Sequence, residues 1–218
     1  MNRYDVLEFI SQGKDGALSK ENEVLARIAD DVRRATGSRR TDEAESGTSL
    51  NNVIFVNEAE QRFAESYAKE NNCWIPFLEL NKCGVPGPCG SEANTYVSKD
   101  GYVYKMNNML HCEGSIVRTL EKFILHNLVF HDTRYTFVGF TGFDGRSIYP
   151  VVKQTFIKEC ESAQRTEILD FMTAMGFGHI ADGVFQNDQY LIKDVLPKNV
   201  LKDNFGEIYV IDVEISLL

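Results

Sequence analysis

Residues 190–214 read YLIKDVLPKNVLKDNFGEIYVIDVE, and the spacing of their oxygen-bearing side chains decides how the rest of the chain is read. Asp194 is followed five residues later by Asn199, and Asn199 thirteen residues later by Asp212. The runs NVLKD and IYVID flank Asn204-Phe205-Gly206-Glu207, a polar tetrad with a glycine that predicts a short hairpin. A hairpin returns the chain to its starting point and so brings Asp212 beside Asn199. That grouping suits a metal-phosphate site. Mg²⁺ keeps several waters and takes hard oxygen ligands, with only one or two protein carboxylates, so Asn199 and Asp212 suffice. Asp194 stands one loop earlier, where a group is needed to accept the proton of an attacking hydroxyl or to orient it. The same residues also fit an ordinary hairpin carrying surface acids, since Asp and Asn are common in turns.

The stretch D-V-L-P-K-N-V-L followed by V-I-D resembles the catalytic loop and metal-binding strand of the protein-kinase-like superfamily. Two departures stand beside the match. Ile192-Lys193 occupies the place of the usual His-Arg, and Asp212-Val213-Glu214 that of Asp-Phe-Gly. After Asp212 the residues to Leu218 are too few for an activation segment or a helical docking half, so the resemblance implies an abridged domain.

Upstream, the segment Gly84 to Asn94 contains Gly87 and Gly90, and alternating Thr95-Tyr96-Val97 and Tyr102-Val103-Tyr104-Lys105 bracket a Lys99-Asp100-Gly101 turn. The alternation predicts two short strands. In kinase-like folds a glycine loop covers the phosphates and a strand lysine reaches them. The resemblance therefore implies Gly90 and Ser91 over the nucleotide and Lys105 on its phosphates. The glycines do not follow G-x-G-x-x-G, and a plain surface loop fits them as well. Residues 115–131, SIVRTLEKFILHNLVFH, have helical periodicity, with Glu121 on the face of Val117, Ile124 and Leu128. A carboxylate on a buried stripe is costly unless paired. The resemblance implies Lys105 as its partner. The alternatives are a Glu121 that reaches solvent at the stripe's edge, and Glu113 in its stead, although an acid at a helix start is already favoured by the helix dipole.

Strands are expected over 135–141 and 147–156, and a helix over 162–175 that stops at Gly176. By resemblance, residues 154–157 form the hinge that reads adenine, with Gln154 and Phe156 among the contacts and Val97, Val103 and Leu201 as apolar floor and roof. Those three would serve equally well as core. Further helices are expected over 3–10, over 19–35 behind a Ser19 cap, and over 57–72. Trp74, among aliphatic neighbours, reads as a packing anchor. Residues 35–52, rich in Thr, Gly, Ser and charge, read as a linker, which places a boundary near 52.

Composition limits the function classes. With 43% hydrophobic and 25% charged residues the chain reads as a soluble globular protein, and a net charge of -9 argues against non-specific nucleic-acid binding. No apolar run approaches the ~20 residues of a membrane span, and the N-terminus lacks a signal-peptide core. Five irregularly placed cysteines suggest free thiols in a reducing cytosol. No C-x-x-C or H-E-x-x-H pattern supports zinc, and no cysteine is marked as an activated nucleophile.

The fold expected is α+β and kinase-like in two lobes: an N-terminal helical appendage and linker (1–52), an N-lobe with an antiparallel sheet and a helix (53–157), and a minimal C-lobe (158–218) with one helix and the catalytic-loop hairpin. The ordered set from glycine loop to final Asp is similar to the abridged kinase-like domains of polyvalent proteins of bacterial mobile elements. That resemblance implies ATP and Mg²⁺ as cofactors, with Lys105 on phosphates, Glu121 positioning the lysine, Asp194 as base, and Asn199 and Asp212 on metal. The expected reaction is phosphoryl transfer to a hydroxyl on a protein or small molecule, in the cytoplasm, without nucleic-acid or membrane partners. The departures leave a second reading open, a non-catalytic kinase-like module that binds nucleotide or a partner protein. A third is a subunit completed by another polypeptide.

Overall fold

The computed structural model describes residues 20–37, 50–87, 92–143 and 147–218. The expected helix at 3–10, the Ser19 cap, most of the linker, and Gly90 and Ser91 lie outside the described residues. Within them the chain is a mixed α/β structure dominated by antiparallel pairing, which is compatible with the kinase-like expectation.

Helices α1 (Lys20–Thr36) and α2 (Leu50–Glu70) precede strands β1 (Trp74–Pro76), β2 (Val85–Pro86), β3 (Ala93–Val97) and β4 (Tyr102–Asn107). Helix α3 (Ile116–Val129) then leads to β5 (Thr136–Gly142) and β6 (Ile148–Thr155). These strands form one six-stranded sheet in the order β1-β5-β6-β4-β3-β2. All its pairings are antiparallel except the parallel edge pair β1·β5. The edge pair brings Cys73 so close that a side chain at Gly139 would meet its carbonyl oxygen at 2.1 Å, so only glycine fits there.

Helix α3 starts where the sequence expects. Ser115 caps it by accepting from the Arg118 N–H at 3.2 Å. Glu60, buried on α2, adds a second cap: one carboxylate oxygen accepts from Ser115 Oγ at 3.0 Å, Ile116 N at 2.7 Å and Val117 N at 3.3 Å. A negative charge there also meets the positive end of the helix dipole.

Leu25, Ile28 and Val32 of α1 bury against Leu120, Phe123 and Ile124 of α3 and Phe140 and Val152 of the sheet. The sequence assigned α1 to an appendage. Its apolar stripe in fact closes the same core as α3, because the α3 surface turned from the sheet is itself apolar. The opposite sheet face carries a smaller cluster of Leu80, Tyr96, Met106 and Val151. Trp74 packs at the edge of the first core, in keeping with a packing anchor.

The remaining elements are β7 (Cys160–Ser162), α4 (Arg165–Ala174), β8 (Gly178–Ala181), β9 (Val184–Gln186), β10 (Tyr190–Lys193), β11 (Val200–Asp203), β12 (Ile208–Val210) and β13 (Glu214–Leu217). They form two small sheets, β13-β10-β9-β8 and β12-β11-β7. Helix α4 begins three residues later than expected because Cys160–Ser162 is captured as a strand on the free edge of β11. It ends as expected, with Gly176 at φ +85°. A second buried group, including Phe130, Ile168, Met172, Ile192, Val200 and Val213, joins these pieces.

Candidate active site

The hairpin expected in residues 200–210 is present. β11 and β12 pair antiparallel with Val200 opposite Val210, and Ile211 N donates to Asn199 O at 2.8 Å, which places Asp212 beside the loop that holds Asn199. Both aspartates occupy left-handed backbone, Asp194 at φ 61° and Asp212 at φ 46°. Asp tolerates this region better than most residues, and such strain concentrates at functional sites.

A cleft of about 480 Å³ lies between the large sheet and this hairpin. Lys105, Asp194, Asn199, Asp212, Val97, Val103, Leu201, Gln154 and Phe156 all line it. Its size is that of a small-molecule site. Lys105 is buried in β4 and its Nζ lies 2.7 Å from Asp212 Oδ1. Tyr135 donates its hydroxyl to the same oxygen at 2.8 Å. Burial by itself would raise the Asp212 carboxyl, but the Lys105 charge and the two hydrogen bonds outweigh it and hold the group down at about 2. The Asp212 side chain keeps 40% of its surface open, so it remains reachable from the cleft.

On the opposite wall, Asn199 donates its amide N–H groups to Asp194 O at 2.9 Å and Asp194 Oδ2 at 2.8 Å. That engages the nitrogen and leaves the amide oxygen as the atom suited to a cation. Lys198 also reaches Asp194 Oδ2 at 2.8 Å. A carboxylate oxygen and an amide oxygen are the hard ligands Mg²⁺ takes, so the donor set fits that ion.

Two expected assignments change. Glu121 forms its ion pair with Arg33 of α1, and Lys105 forms its own with Asp212. The glutamate is buried on α3 as expected, but the face it shares with Val117 and Ile124 is covered by α1, which supplies Arg33 as its partner. Gln154 lies inside β6 opposite Val103, and its side-chain amide donates to Thr133 O at 2.6 Å within a buried network around His126. It holds up the cleft floor instead of presenting a hinge edge. Phe156 N is already donated to Gly101 O at 2.9 Å, so that N–H is not open to a ligand.

The sequence reading missed Tyr135 and Lys198, which line the cleft together with Glu92 of the glycine-loop flank. Lys198 carried a signal, a cation next to Asn199 in the catalytic-loop pattern. Glu92 pairs with Lys122 of α3 and lies 3.5 Å from His111 Nε2, whose other ring nitrogen is 3.2 Å from Glu214. The ring thus spans from the glycine-loop flank to the strand after Asp212.

A family model described as Serine/Threonine/Tyrosine Kinase found in polyvalent proteins matches residues 57–218. The chain belongs to this kinase family. The match begins within α2 and leaves α1, with Arg33, outside the family's extent. No curated protein matches the chain. Among the described residues of this family member no helix is long and apolar enough to cross a membrane.

Proposed function

We propose that the chain is a cytoplasmic phosphotransferase that binds ATP with Mg²⁺ between two lobes, 53–157 and 158–218, and transfers the γ-phosphoryl group to a hydroxyl. The acceptor is a protein side chain or a small molecule. One observation carries the reading: in a member of a kinase family, Lys105, Asp194, Asn199 and Asp212 meet at a single cleft. The acceptor oxygen bonds to the γ-phosphorus, its proton passes to the Asp194 carboxylate, and the bond to the bridging oxygen breaks as ADP leaves. Lys105 exchanges Asp212 for the α- and β-phosphates when nucleotide enters. Asn199 and Asp212 would hold the cation, which would supply charge neutralisation on the phosphates. Val97, Val103 and Leu201 enclose the base. The arrangement is mostly positioning and electrostatics, as phosphoryl transfer requires.

A second reading, a non-catalytic nucleotide-binding module, is favoured by the Glu121–Arg33 pair, which draws from Lys105 the glutamate that kinases place on it. Calorimetry of ATP binding with and without Mg²⁺, followed by mass spectrometry of the chain incubated with Mg-ATP, separates the two. The proposed enzyme binds nucleotide in a Mg²⁺-dependent manner and gains phosphate on itself or on an added acceptor. Binding without transfer supports the second reading, nucleotide binding that does not need Mg²⁺ removes the first, and no nucleotide binding removes both.

A further inference from the structure

The two donors on Asp212 Oδ1 differ in how firmly they are held. Lys105 is a flexible stem that the proposed chemistry calls away to phosphate. Tyr135 is 3% exposed, with its ring packed on Phe123 at 4.7 Å and on His126 at 4.8 Å between centroids. Its backbone is clamped at both polar groups. Tyr135 N donates to Asn127 Oδ1 at 2.7 Å, and Asn127 Nδ2 donates to Tyr135 O at 2.9 Å. The same Asn127 amide also donates to Asn22 Oδ1 at 2.9 Å, so α1 backs the clamp from outside the family's matched region. All three of these residues are buried. The phenol hydroxyl therefore arrives at Asp212 from a scaffold with little freedom to move, 2.8 Å from Oδ1.

We infer that Tyr135 is a positioning residue that fixes the Asp212 carboxylate so that Oδ2 faces the cleft as a cation ligand. The inference rests on the reading of Asp212 as that ligand. Among the described residues neither Lys105 nor Tyr135 engages Oδ2, and Asp212 has backbone at φ 46°, which by itself does not set the carboxylate's rotation. One hydrogen bond from a rigid donor does. When Lys105 turns to phosphate, the Tyr135 hydroxyl is the donor that stays, so the orientation survives nucleotide entry. Partners of this kind, one step removed from the ion, are worth about 10- to 100-fold in metal affinity or activity.

The test uses Mn²⁺ alone on the full chain, followed by its effect on water-proton relaxation, with Tyr135→Phe and Asp212→Asn as variants and urea unfolding as a parallel measurement. Tyr135→Phe keeps the ring packing and removes one oxygen. The expected result is Mn²⁺ affinity lowered about tenfold in Tyr135→Phe, with the urea midpoint close to wild type. In Asp212→Asn, Mn²⁺ binding is lost. A tyrosine that served only packing would leave both the midpoint and the Mn²⁺ affinity of Tyr135→Phe at wild type. Wild-type affinity in Tyr135→Phe, or wild-type binding insensitive to Asp212→Asn, overturns the inference. ATP turnover is measured separately on the wild type. Its absence alongside Asp212-dependent, Tyr135-dependent Mn²⁺ binding counts against the phosphotransferase reading and not against the role of Tyr135.

Discussion

Arg33 of α1 and Glu121 of α3 form an ion pair in which the side chains keep only 16% and 8% of their surface. Breaking such a pair from one side takes a counter-charge away from a buried group, at a cost of up to about 3–5 kcal/mol when burial is deep. Arg33→Ala should therefore lower stability by about 3 kcal/mol, and adding Glu121→Gln should restore most of it. Urea midpoints of wild type, both single variants and the double variant measure the coupling. Additive losses would show that the two groups do not support one another.

In the proposed reaction Asp194 takes the acceptor proton, and its backbone is left-handed. Asn tolerates that conformation and Ala does not. Asp194→Asn should keep the wild-type urea midpoint while turnover falls by about 10²–10⁴-fold. Asp194→Ala should lose both turnover and about 1 kcal/mol of stability. A fully active Asp194→Asn enzyme would remove this residue from the reaction.

His126 is fully buried, and burial, with a smaller push from Lys105 against an opposing pull from Asp212, lowers its ring to about 3. In the unfolded chain an imidazole takes up a proton near pH 6.5. The unfolded state thus binds the extra proton first. Stability is complete above about pH 6.5 and is lost as pH falls toward 3, by about 1.4 kcal/mol per unit in that window. Wild type should lose roughly 2 kcal/mol more than His126→Gln between about pH 7 and pH 5. Equal losses in the two proteins would show the ring to be protonated in the folded state.

Glu60 closes the N-terminus of α3 from a neighbouring helix, accepting from Ser115, Ile116 and Val117. Glu60→Ala should destabilise by about 2 kcal/mol and Glu60→Gln by less, since the amide oxygen still accepts but carries no charge for the dipole. Hydrogen exchange at Ile116 and Val117 should accelerate most in the alanine variant. Unchanged exchange there would mean that Ser115 alone holds the helix start.

The hairpin and its three polar residues were legible because their spacing is local: a turn signal and a return strand fix where Asp212 comes back. Lys105 was legible from strand alternation beside a turn. Tyr135 was not, because nothing in an aromatic at the start of an expected strand says that its hydroxyl crosses to a residue 77 positions later. The partner of Glu121 escaped for a related reason. Periodicity shows that α3 has an apolar face but not which helix covers it, and α1 supplied Arg33 across 88 positions. Gln154 was placed in the hinge because pattern alone cannot separate the last strand residues from the segment after them. The start of α4 slipped because an edge strand captured Cys160–Ser162, a tertiary event without local signature.

Strand β13 runs back along β10 with Lys193 opposite Glu214, so Asp194 leaves that ladder one step after the pair and Asp212 stands two steps before it. The ladder thus acts as a ruler between the proposed proton acceptor and the proposed cation ligand. A one-residue insertion between Val210 and Glu214 would slip its register and turn alternate side chains to the wrong face. Additions at the hairpin tip around Phe205, which is 92% exposed, would leave the gauge untouched. Length variation among functional versions of this domain should therefore collect at that tip and be absent from the four residues before Glu214.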